Sequence, residues 1–331
     1  MLARGYGVVD RATGEPVHPT TRFRLGSLSK TITAVAVLKL VEEGRLGLDR
    51  DASGDPVFMP RALEALARQG GPPPPTCRVI LRDVLEGRLD FAPGTKHAYS
   101  NVGYCMLGRI VERASGLSYE AYVRSRVLAP AGVTGLELGH TLRRAGDETT
   151  YHDYPGAPLV AAMPGVATGK VPAPYGAFAV EDMDAYGGWV GAPIDYLAFM
   201  LAIDGQRGPA VLSADSVRQM LAWPRIPELD PARGFYGLGI HVSASRRAWW
   251  HGGTQPGFSA LAVRAEEGYG WVVTFNMRPR DRGAFTRDFD RALWAAARQV
   301  VSWPVEELDA CNAYLRGPER PARIRIHGGT G

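Results

Sequence analysis

Apolar residues recur at three- and four-residue steps in the stretch that follows Ser27. This period places them on one face of an α-helix, and Gly44 is a suitable residue for the end of that helix. The repeating positions are Ile32, Val35, Leu38 and Val41. The pattern therefore predicts a helix that ends near Gly44 and has Ser27 in its first turn.

The helical period returns further along the chain, and alternation of apolar and polar residues appears near both ends. Helices are predicted at 62–67, 79–85, 106–114, after Ser118, and at 195–203, 213–222 and 285–300. Strands are predicted at 5–10, 236–242, 246–250, 258–265 and 271–276. The close spacing of the last four strands indicates an antiparallel meander. The fold class is therefore α+β: an antiparallel sheet made from both ends of the chain, flanked by helices, with a mostly helical lobe inserted.

The chain is long enough to form one large hydrophobic core. It has 331 residues, of which 45% are hydrophobic and 22% are charged. We expect a single domain over residues 1–303, with an α/β lobe formed by about 1–57 and 234–303. The helical lobe then covers about 58–233, and residues 304–331 form a C-terminal tail without a fold assignment.

Charge and cysteine content exclude several classes of function. The net charge of +4 arises from basic residues scattered among 34 acidic ones, so we expect no nucleic-acid partner.

The chain contains no run of ~18 apolar residues that would predict a membrane span. The first residues lack the apolar stretch of a signal peptide, and the chain as given reads as cytoplasmic, although a removed leader would leave no trace. Cys77, Cys105 and Cys311 have no metal-ligand spacing, and we expect Cys105 in the core and no disulfide framework.

Candidate chemistry begins with Ser27 and Lys30, which are three residues apart and share one face of the first helical turn. An amine beside a hydroxyl at the positive end of a helix dipole favours a nucleophilic serine. The chain has four lysines among its 38 basic residues, and lysine can give up a proton whereas arginine essentially cannot. Ser29 is a rival hydroxyl, and a helix start with a solvated lysine is the plainer interpretation of the motif alone.

Two later motifs could supply the partners that such a serine needs. Tyr99 and Asn101 lie on a turn before a helix, and a neighbouring ammonium lowers the pKa of a phenol so that it can act as a base. His251-Gly252-Gly253-Thr254 lies at the end of a predicted strand, where two glycines allow the backbone to approach a ligand. Taken singly, Tyr99 could be a core aromatic, Asn101 a turn former and the glycine pair only a turn.

Taken together, the chain resembles the penicillin-binding-protein and class C β-lactamase-like serine hydrolases. The motifs Ser27-x-x-Lys30, Tyr99-Ser100-Asn101 and His251-Gly252-Gly253 occur in the order and spacing of that family. The segments that flank these motifs also resemble the family, and the resemblance covers roughly residues 4–303. Three further segments resemble the family: 91–94, 187–190 and 236–239.

The resemblance implies a role for each site residue. Ser27 would be the acylated nucleophile, and Lys30 with Tyr99 would act together as the general base. Asn101 would orient Lys30 or bind the substrate. The N–H groups of Ser27 and Thr254 would form the oxyanion hole, and His251, Gly252 and Gly253 would line the substrate site.

The third motif carries His251 where β-lactamases of the family carry lysine. Because histidine is mostly neutral at pH 7, an efficient β-lactamase is disfavoured. We therefore expect hydrolysis of a small ester or amide through an acyl-enzyme, with an esterase favoured and without a metal or cofactor. The alternatives are a D-amino-acid peptidase, a β-lactamase, an acyl-transferring biosynthetic enzyme, and a non-catalytic acylatable sensor or scaffold. The oligomeric state stays open.

Overall fold

The computed structural model describes residues 2–46, 61–88, 90–92, 94–206, 208–245, 247–265 and 268–300. The tail predicted at 304–331 and the lobe boundary predicted near 57 lie outside these residues. The division into two lobes therefore remains a prediction.

The described residues form eight α-helices, and each predicted helix is confirmed with shifts of a few residues at its ends. They are α1 Ser29–Glu42, α2 Arg61–Gln69, α3 Cys77–Glu86, α4 Asn101–Ser115, α5 Tyr119–Val123, α6 Pro193–Ile203, α7 Ala214–Met220 and α8 Arg282–Gln299. Local capping explains several boundaries. Gly116 ends α4 in the left-handed conformation with φ of 73°, and Ser118 caps α5 by accepting a hydrogen bond from the N–H of Ala121. None of the helices in the described ranges is both long and apolar enough to span a bilayer.

The strands of the described residues form three sheets. They are β1 Phe23–Arg24, β2 Glu137–Leu138, β3 Val160–Ala161, β4 Lys170–Val171, β5 Trp189–Gly191, β6 Phe235–Tyr236, β7 His241–Val242, β8 Ala248–Gln255, β9 Phe258–Ala265 and β10 Gly270–Phe275. The main sheet is antiparallel in the order β10-β9-β8-β7-β6, as the predicted meander requires. A small sheet in the order β1-β5-β2 lies beside the start of α1, and β3 pairs with β4.

Helices cover the main sheet on both faces. The aromatic side chains of α8 pack on β10, where Trp294 lies 4.7 Å from Trp271 between ring centroids and Phe289 lies 4.8 Å from Phe275. On the other side, α6 packs against β10 and β9. Every residue of β9 is buried as a result.

Helix α1 lies at the centre of the molecule and is buried almost all round, not only on its predicted apolar face. Ile32, Val35 and Leu40 are fully buried. Its polar residues are buried with partners, since Thr31 donates to the carbonyl of Gly239 and Thr33 donates to that of Ala185. A helix buried on nearly every side is held rigidly, and this one carries the residues that follow Ser27.

Two predictions about strands are wrong. Residues 5–10 do not form a strand, because Val8 makes only an isolated bridge with Pro16, so the main sheet contains no strand from the N-terminal end of the chain. The predicted strand at 236–242 is two strands, β6 and β7. The glycine-containing turn between them includes Gly239, whose φ of +78° lets the backbone reverse.

The expectation of no disulfide is also wrong, because Cys77 and Cys105 are bonded. Cys77 is the first residue of α3, and Cys105 lies in the second turn of α4. The two positions meet because α3 packs against α4, which a pattern local in sequence does not reveal. Both cysteines are buried, which confirms the expected core position of Cys105.

Candidate active site

Ser27 lies in a short 3-10 turn, Gly26–Leu28, immediately before α1. The prediction of a shared helical turn is therefore approximate, because α1 itself begins at Ser29. Gly26 has φ of +51°, and a Cβ there would lie 2.6 Å from Cζ of Phe258. Only glycine allows the turn to lie this close to β9, and this fixes the position of Ser27 against the sheet.

Lys30 is fully buried and donates hydrogen bonds to groups from three parts of the chain. Its Nζ lies 3.2 Å from Oγ of Ser27, 2.5 Å from Oδ1 of Asn101 and 2.9 Å from the carbonyl oxygen of Tyr186. A buried amine requires such partners, because its removal from water is costly. The structure thus brings the predicted serine, lysine and asparagine together.

Tyr99 lies beside this amine and is 40% exposed, so its ring borders the opening of the site. The Nζ of Lys30 is 4.9 Å from the centroid of the Tyr99 ring. Tyr99 precedes Ser100, whose hydroxyl caps α4 by accepting from the N–H of Gly103. The cap fixes where α4 begins and so sets the positions of Tyr99 and Asn101 on either side of it.

Tyr104 and Tyr186 also surround Lys30 and were not identified from the sequence. Their ring centroids lie 5.6 Å and 5.7 Å from its Nζ. Tyr104 is three residues after Asn101 on α4, a spacing that places both on one helix face and could have revealed it. The contact of the Tyr186 carbonyl could not have been recognised in this way, since a backbone group has no sequence signature.

The third motif lies inside strand β8, not at its end as predicted. Strand β8 pairs with β9 along its whole length, but with β7 only through Trp249 and Trp250. The remaining edge of β8 faces the Ser27 turn. A Cβ on Gly253 would lie 2.2 Å from the carbonyl oxygen of Leu25, and one on Gly26 would lie 3.4 Å from the backbone nitrogen of Thr254.

His251 is buried and uses both of its ring nitrogens within the protein. Its Nδ1 lies 2.7 Å from the carbonyl oxygen of Gly252, so Nδ1 carries the proton and donates. Its Nε2 lies 2.9 Å from the hydroxyl of Tyr236 and accepts from it. Burial, reinforced by the charge of Lys30 and by His241, lowers the pKa of His251 to about 3. The imidazole is therefore neutral at pH 7.

Tyr236 links the imidazole to the aromatic residues around Lys30. Its ring centroid is 5.5 Å from that of Tyr99, and its hydroxyl also hydrogen-bonds the hydroxyl of Tyr104. Burial raises the pKa of Tyr236 well above its ordinary value, so its phenol stays protonated and acts as a donor. The sequence motifs indicate only the segment that contains Tyr236 and predict no role for this residue.

Trp189 is a core residue beside the site. It is fully buried, and its indole N–H donates to the hydroxyl of Tyr119. Its backbone N–H donates to Oγ of Ser29, which excludes that rival hydroxyl from the site. The carbonyl of Trp189 accepts from the N–H of Leu25, so strand β5 helps to hold the segment that leads to Ser27.

Relatives of the chain are recognisable along most of its length. The family model described as Beta-lactamase matches residues 1–295. Protein flp of Staphylococcus aureus (strain N315) is 24% identical over 300 residues, which cover 84% of this chain and 57% of flp. The chain therefore spans a little over half the length of these curated relatives.

Solved structures of similar proteins share the fold. The D-amino acid amidase from Ochrobactrum anthropi SV3 superimposes with a TM-score of 0.66 at 21% identity, covering 88% of this chain and 89% of the amidase. The penicillin binding protein from Bacillus halodurans gives a TM-score of 0.65 at 21% identity, covering 88% and 90%. These likenesses confirm the β-lactamase/transpeptidase-like fold predicted from the motifs. Because the family match extends over nearly the whole chain, this protein belongs to the Beta-lactamase family of serine hydrolases.

Proposed function

We propose that this chain hydrolyses small esters through an acyl-enzyme on Ser27. The observation that carries the proposal is the 3.2 Å contact between Nζ of Lys30 and Oγ of Ser27. A hydroxyl in contact with a buried amine is the arrangement that an activated serine nucleophile requires.

In the proposed reaction, Oγ of Ser27 attacks the ester carbonyl carbon while the Lys30–Tyr99 pair removes its proton. The carbonyl oxygen becomes an oxyanion that accepts hydrogen bonds from the backbone N–H groups of Ser27 and Thr254. As the tetrahedral intermediate collapses, the bond to the leaving alcohol breaks, and the pair returns the proton to that alcohol. Water then attacks the acyl-enzyme by the same steps in reverse order.

Asn101 and Tyr186 would position the amine for these proton transfers. Their oxygen atoms accept from Nζ of Lys30 at 2.5 Å and 2.9 Å and so fix its location beside Ser27. His251 would act in the same indirect way, since both of its nitrogens are engaged by Tyr236 and Gly252. It would hold the edge of β8 in place while Gly252 and Gly253 border the substrate.

The neutral imidazole supports an ester without a carboxylate over a β-lactam. The lysine found in β-lactamases at this position would offer a fixed positive charge, whereas the lowered pKa of His251 keeps it uncharged. The groups described around Lys30 are hydroxyls, an amide, a carbonyl and a neutral imidazole. None of these would pair with the ammonium of a D-amino acid amide, so the ester is preferred over that second substrate.

A substrate panel tests the proposal. Purified protein is incubated with p-nitrophenyl acetate, butyrate and octanoate, with D-phenylalanine amide and with a chromogenic cephalosporin, each in the presence of EDTA. We expect turnover of a p-nitrophenyl ester that disappears in Ser27→Ala and persists in Ser29→Ala, the matched hydroxyl control.

Other results would redirect the assignment. Turnover of the amide faster than that of the esters would indicate a D-amino-acid peptidase, and faster turnover of the cephalosporin would indicate a β-lactamase. Transfer of the acyl group to an added alcohol in preference to water would indicate a biosynthetic acyltransferase. Acylation of Ser27 without release would indicate a sensor, and loss of all activity in EDTA would contradict the absence of a metal requirement.

A further inference from the structure

A row of aromatic side chains leads away from the catalytic residues across the edge of the main sheet. The row consists of Tyr99, Tyr236, His241 and Trp250. Successive ring centroids are 5.5 Å, 4.7 Å and 4.2 Å apart. The last pair is stacked with an angle of 13° between the rings, and the others meet edge to face.

Strand pairing explains why three members of the row share one face. Tyr236 is directly opposite His241 in the β6–β7 pair, and His241 is opposite Trp250 in the β7–β8 pair. Residues opposite each other in antiparallel strands project from the same face of the sheet. The alternate residues Phe235, Val242 and Trp249 are buried in the core, so the row occupies the opposite face.

Both ends of the row are open to solvent, although the middle is partly covered. Tyr99 is 40% exposed and Trp250 is 36% exposed. An exposed tryptophan stacked on a neighbour leaves one large flat π-face available. Such a face binds planar aromatic groups by offset stacking.

The imidazoles in and beside the row are uncharged at neutral pH. Burial, with a contribution from His97, lowers the pKa of His241 to about 4, and His251 next to the row is neutral as well. The ammonium of Lys30 lies 4.9 Å from the centroid of the Tyr99 ring, at the end of the row next to Ser27. The aromatic rings and neutral imidazoles of the row therefore favour an apolar group.

The row begins at the residue that would return the proton to the leaving group. In the proposed mechanism, Tyr99 with Lys30 donates to the departing alcohol, so the alcohol must lie on the Tyr99 side of Ser27. The acyl carbonyl lies on the other side, at the N–H groups of Ser27 and Thr254. A group attached to the alcohol would consequently extend along the row.

We propose that this row is the leaving-group subsite and that it selects esters of alcohols carrying a planar aromatic ring, with Trp250 as the residue that determines this specificity. The inference rests on the proposed ester hydrolysis and adds the chemical class of the alcohol. It assigns Trp250 a part in binding.

Two acetate esters with alcohols of similar acidity test the proposal. They are 2-naphthylmethyl acetate and 2-methoxyethyl acetate, which share the acyl group and differ in the planar ring. We expect the ratio of their kcat/KM values to fall about tenfold in Trp250→Ala, because a stacked aromatic contact is lost. Trp250→Phe should retain most of the ratio, and Tyr6→Ala, a truncation at an 81% exposed aromatic, should leave it unchanged.

Direct binding gives a readout that does not depend on turnover. Naphthalene fluorescence reports the Kd of 2-naphthylmethanol for the Ser27→Ala protein, and adding Trp250→Ala should raise this Kd about tenfold. Circular dichroism verifies that the variants are folded. If Trp250→Ala were unfolded, His241→Ala would replace it, because it removes the ring on which Trp250 stacks.

The outcomes separate this inference from the proposed function. An unchanged ratio and an unchanged Kd in the variants, with ester turnover intact, would overturn the subsite and leave the hydrolase. Binding that depends on Trp250 without turnover of any ester would support the aromatic site and contradict the proposed hydrolysis. If Trp250→Ala lowered kcat/KM only for 2-methoxyethyl 2-naphthoate, an ester that carries the ring on its acyl half, the leaving-group assignment would be overturned.

Discussion

Lys30 is the residue on which the proposed chemistry depends, because its Nζ contacts the serine, the asparagine and the carbonyl of Tyr186. We expect Lys30→Ala and Tyr99→Phe each to lower kcat/KM for a p-nitrophenyl ester by at least ~10², as for loss of a general base. The control is Lys39→Ala, which removes a lysine of the same helix that pairs with Glu42 at the surface. Near wild-type rates in Tyr99→Phe would remove the phenol from the mechanism.

The two buried imidazoles make the stability depend on pH. The pKa of His241 is lowered to about 4 and that of His251 to about 3, from 6.5. Below pH 6.5 the unfolded chain binds protons that the folded chain does not, so stability is complete above pH 6.5 and declines as the pH falls towards 4. Urea unfolding at pH 7.5 and pH 5 should reveal a smaller decline for His241→Gln than for the wild type.

Comparing the decline in stability of the wild type with that of His241→Gln separates the titration of this imidazole from that of other groups. Asp182, whose pKa burial raises to about 6, acts with the opposite sign but is present in both proteins and therefore cancels. An equal decline in the wild type and in His241→Gln would contradict the neutral state of His241. The same comparison tests the uncharged character of this imidazole in the aromatic row.

Among single elements, strand β8 packs tightly against the segment that leads to Ser27. A Cβ on Gly253 would lie 2.2 Å from the carbonyl oxygen of Leu25, whereas the nearest atom to one on Gly252 is the carbonyl oxygen of Ala260 at 3.8 Å. We expect Gly253→Ala to displace β8 from the Ser27 turn and to lower kcat by about 10², as for loss of an oxyanion donor.

The neighbouring glycine supplies the steric control for this experiment. Gly252→Ala meets ordinary contact distances, so its free energy of unfolding should be unchanged or raised by about 0.5 kcal/mol. Gly253→Ala should have a lower free energy of unfolding in the same urea titration. If the two variants were equally stable and Gly253→Ala kept its kcat, the close packing of β8 on the turn would be refuted.

The bond between Cys77 and Cys105 joins helix α3 to helix α4, whose first residue is Asn101. The bridged positions are 28 residues apart, and closing a loop of that size stabilises the folded chain by roughly 3.5 kcal/mol in the chain-entropy model. We expect the double variant Cys77→Ala/Cys105→Ala to unfold at a lower urea concentration. A urea midpoint identical to that of the wild type would mean that the disulfide does not contribute to the stability of the folded chain.

Helices were predictable because their signals are local. The glycine at 116 and the serine at 118 cap adjacent helices, and both could be recognised from neighbouring residues alone. Strand β9 was predicted with its observed bounds for the same reason, since a turn precedes it and most of its residues are apolar. Residues 5–10 have a similar alternation, but the partner strand that would complete a ladder is absent from the described sheet.

For the molecule as a whole, three short motifs were sufficient to predict the fold and the grouping of Ser27, Lys30 and Asn101. They succeed because proteins that share this fold keep these residue types in the same order along the chain. Contacts made by the backbone or between distant segments were not predictable. The carbonyl of Tyr186 and the Cys77–Cys105 bond both depend on how elements pack, and sequence spacing does not encode that packing.

The family assignment covers residues 1–295, but the catalytic roles within it rest on the geometry around Ser27. Intact-protein mass spectrometry after treatment with a fluorophosphonate, followed by peptide mapping, measures whether this serine is activated. We expect one adduct, located on Ser27, that is absent in Ser27→Ala and retained in Ser29→Ala. An adduct that persists in Ser27→Ala, or no adduct on the folded wild-type protein, would contradict the assignment of Ser27 as the nucleophile.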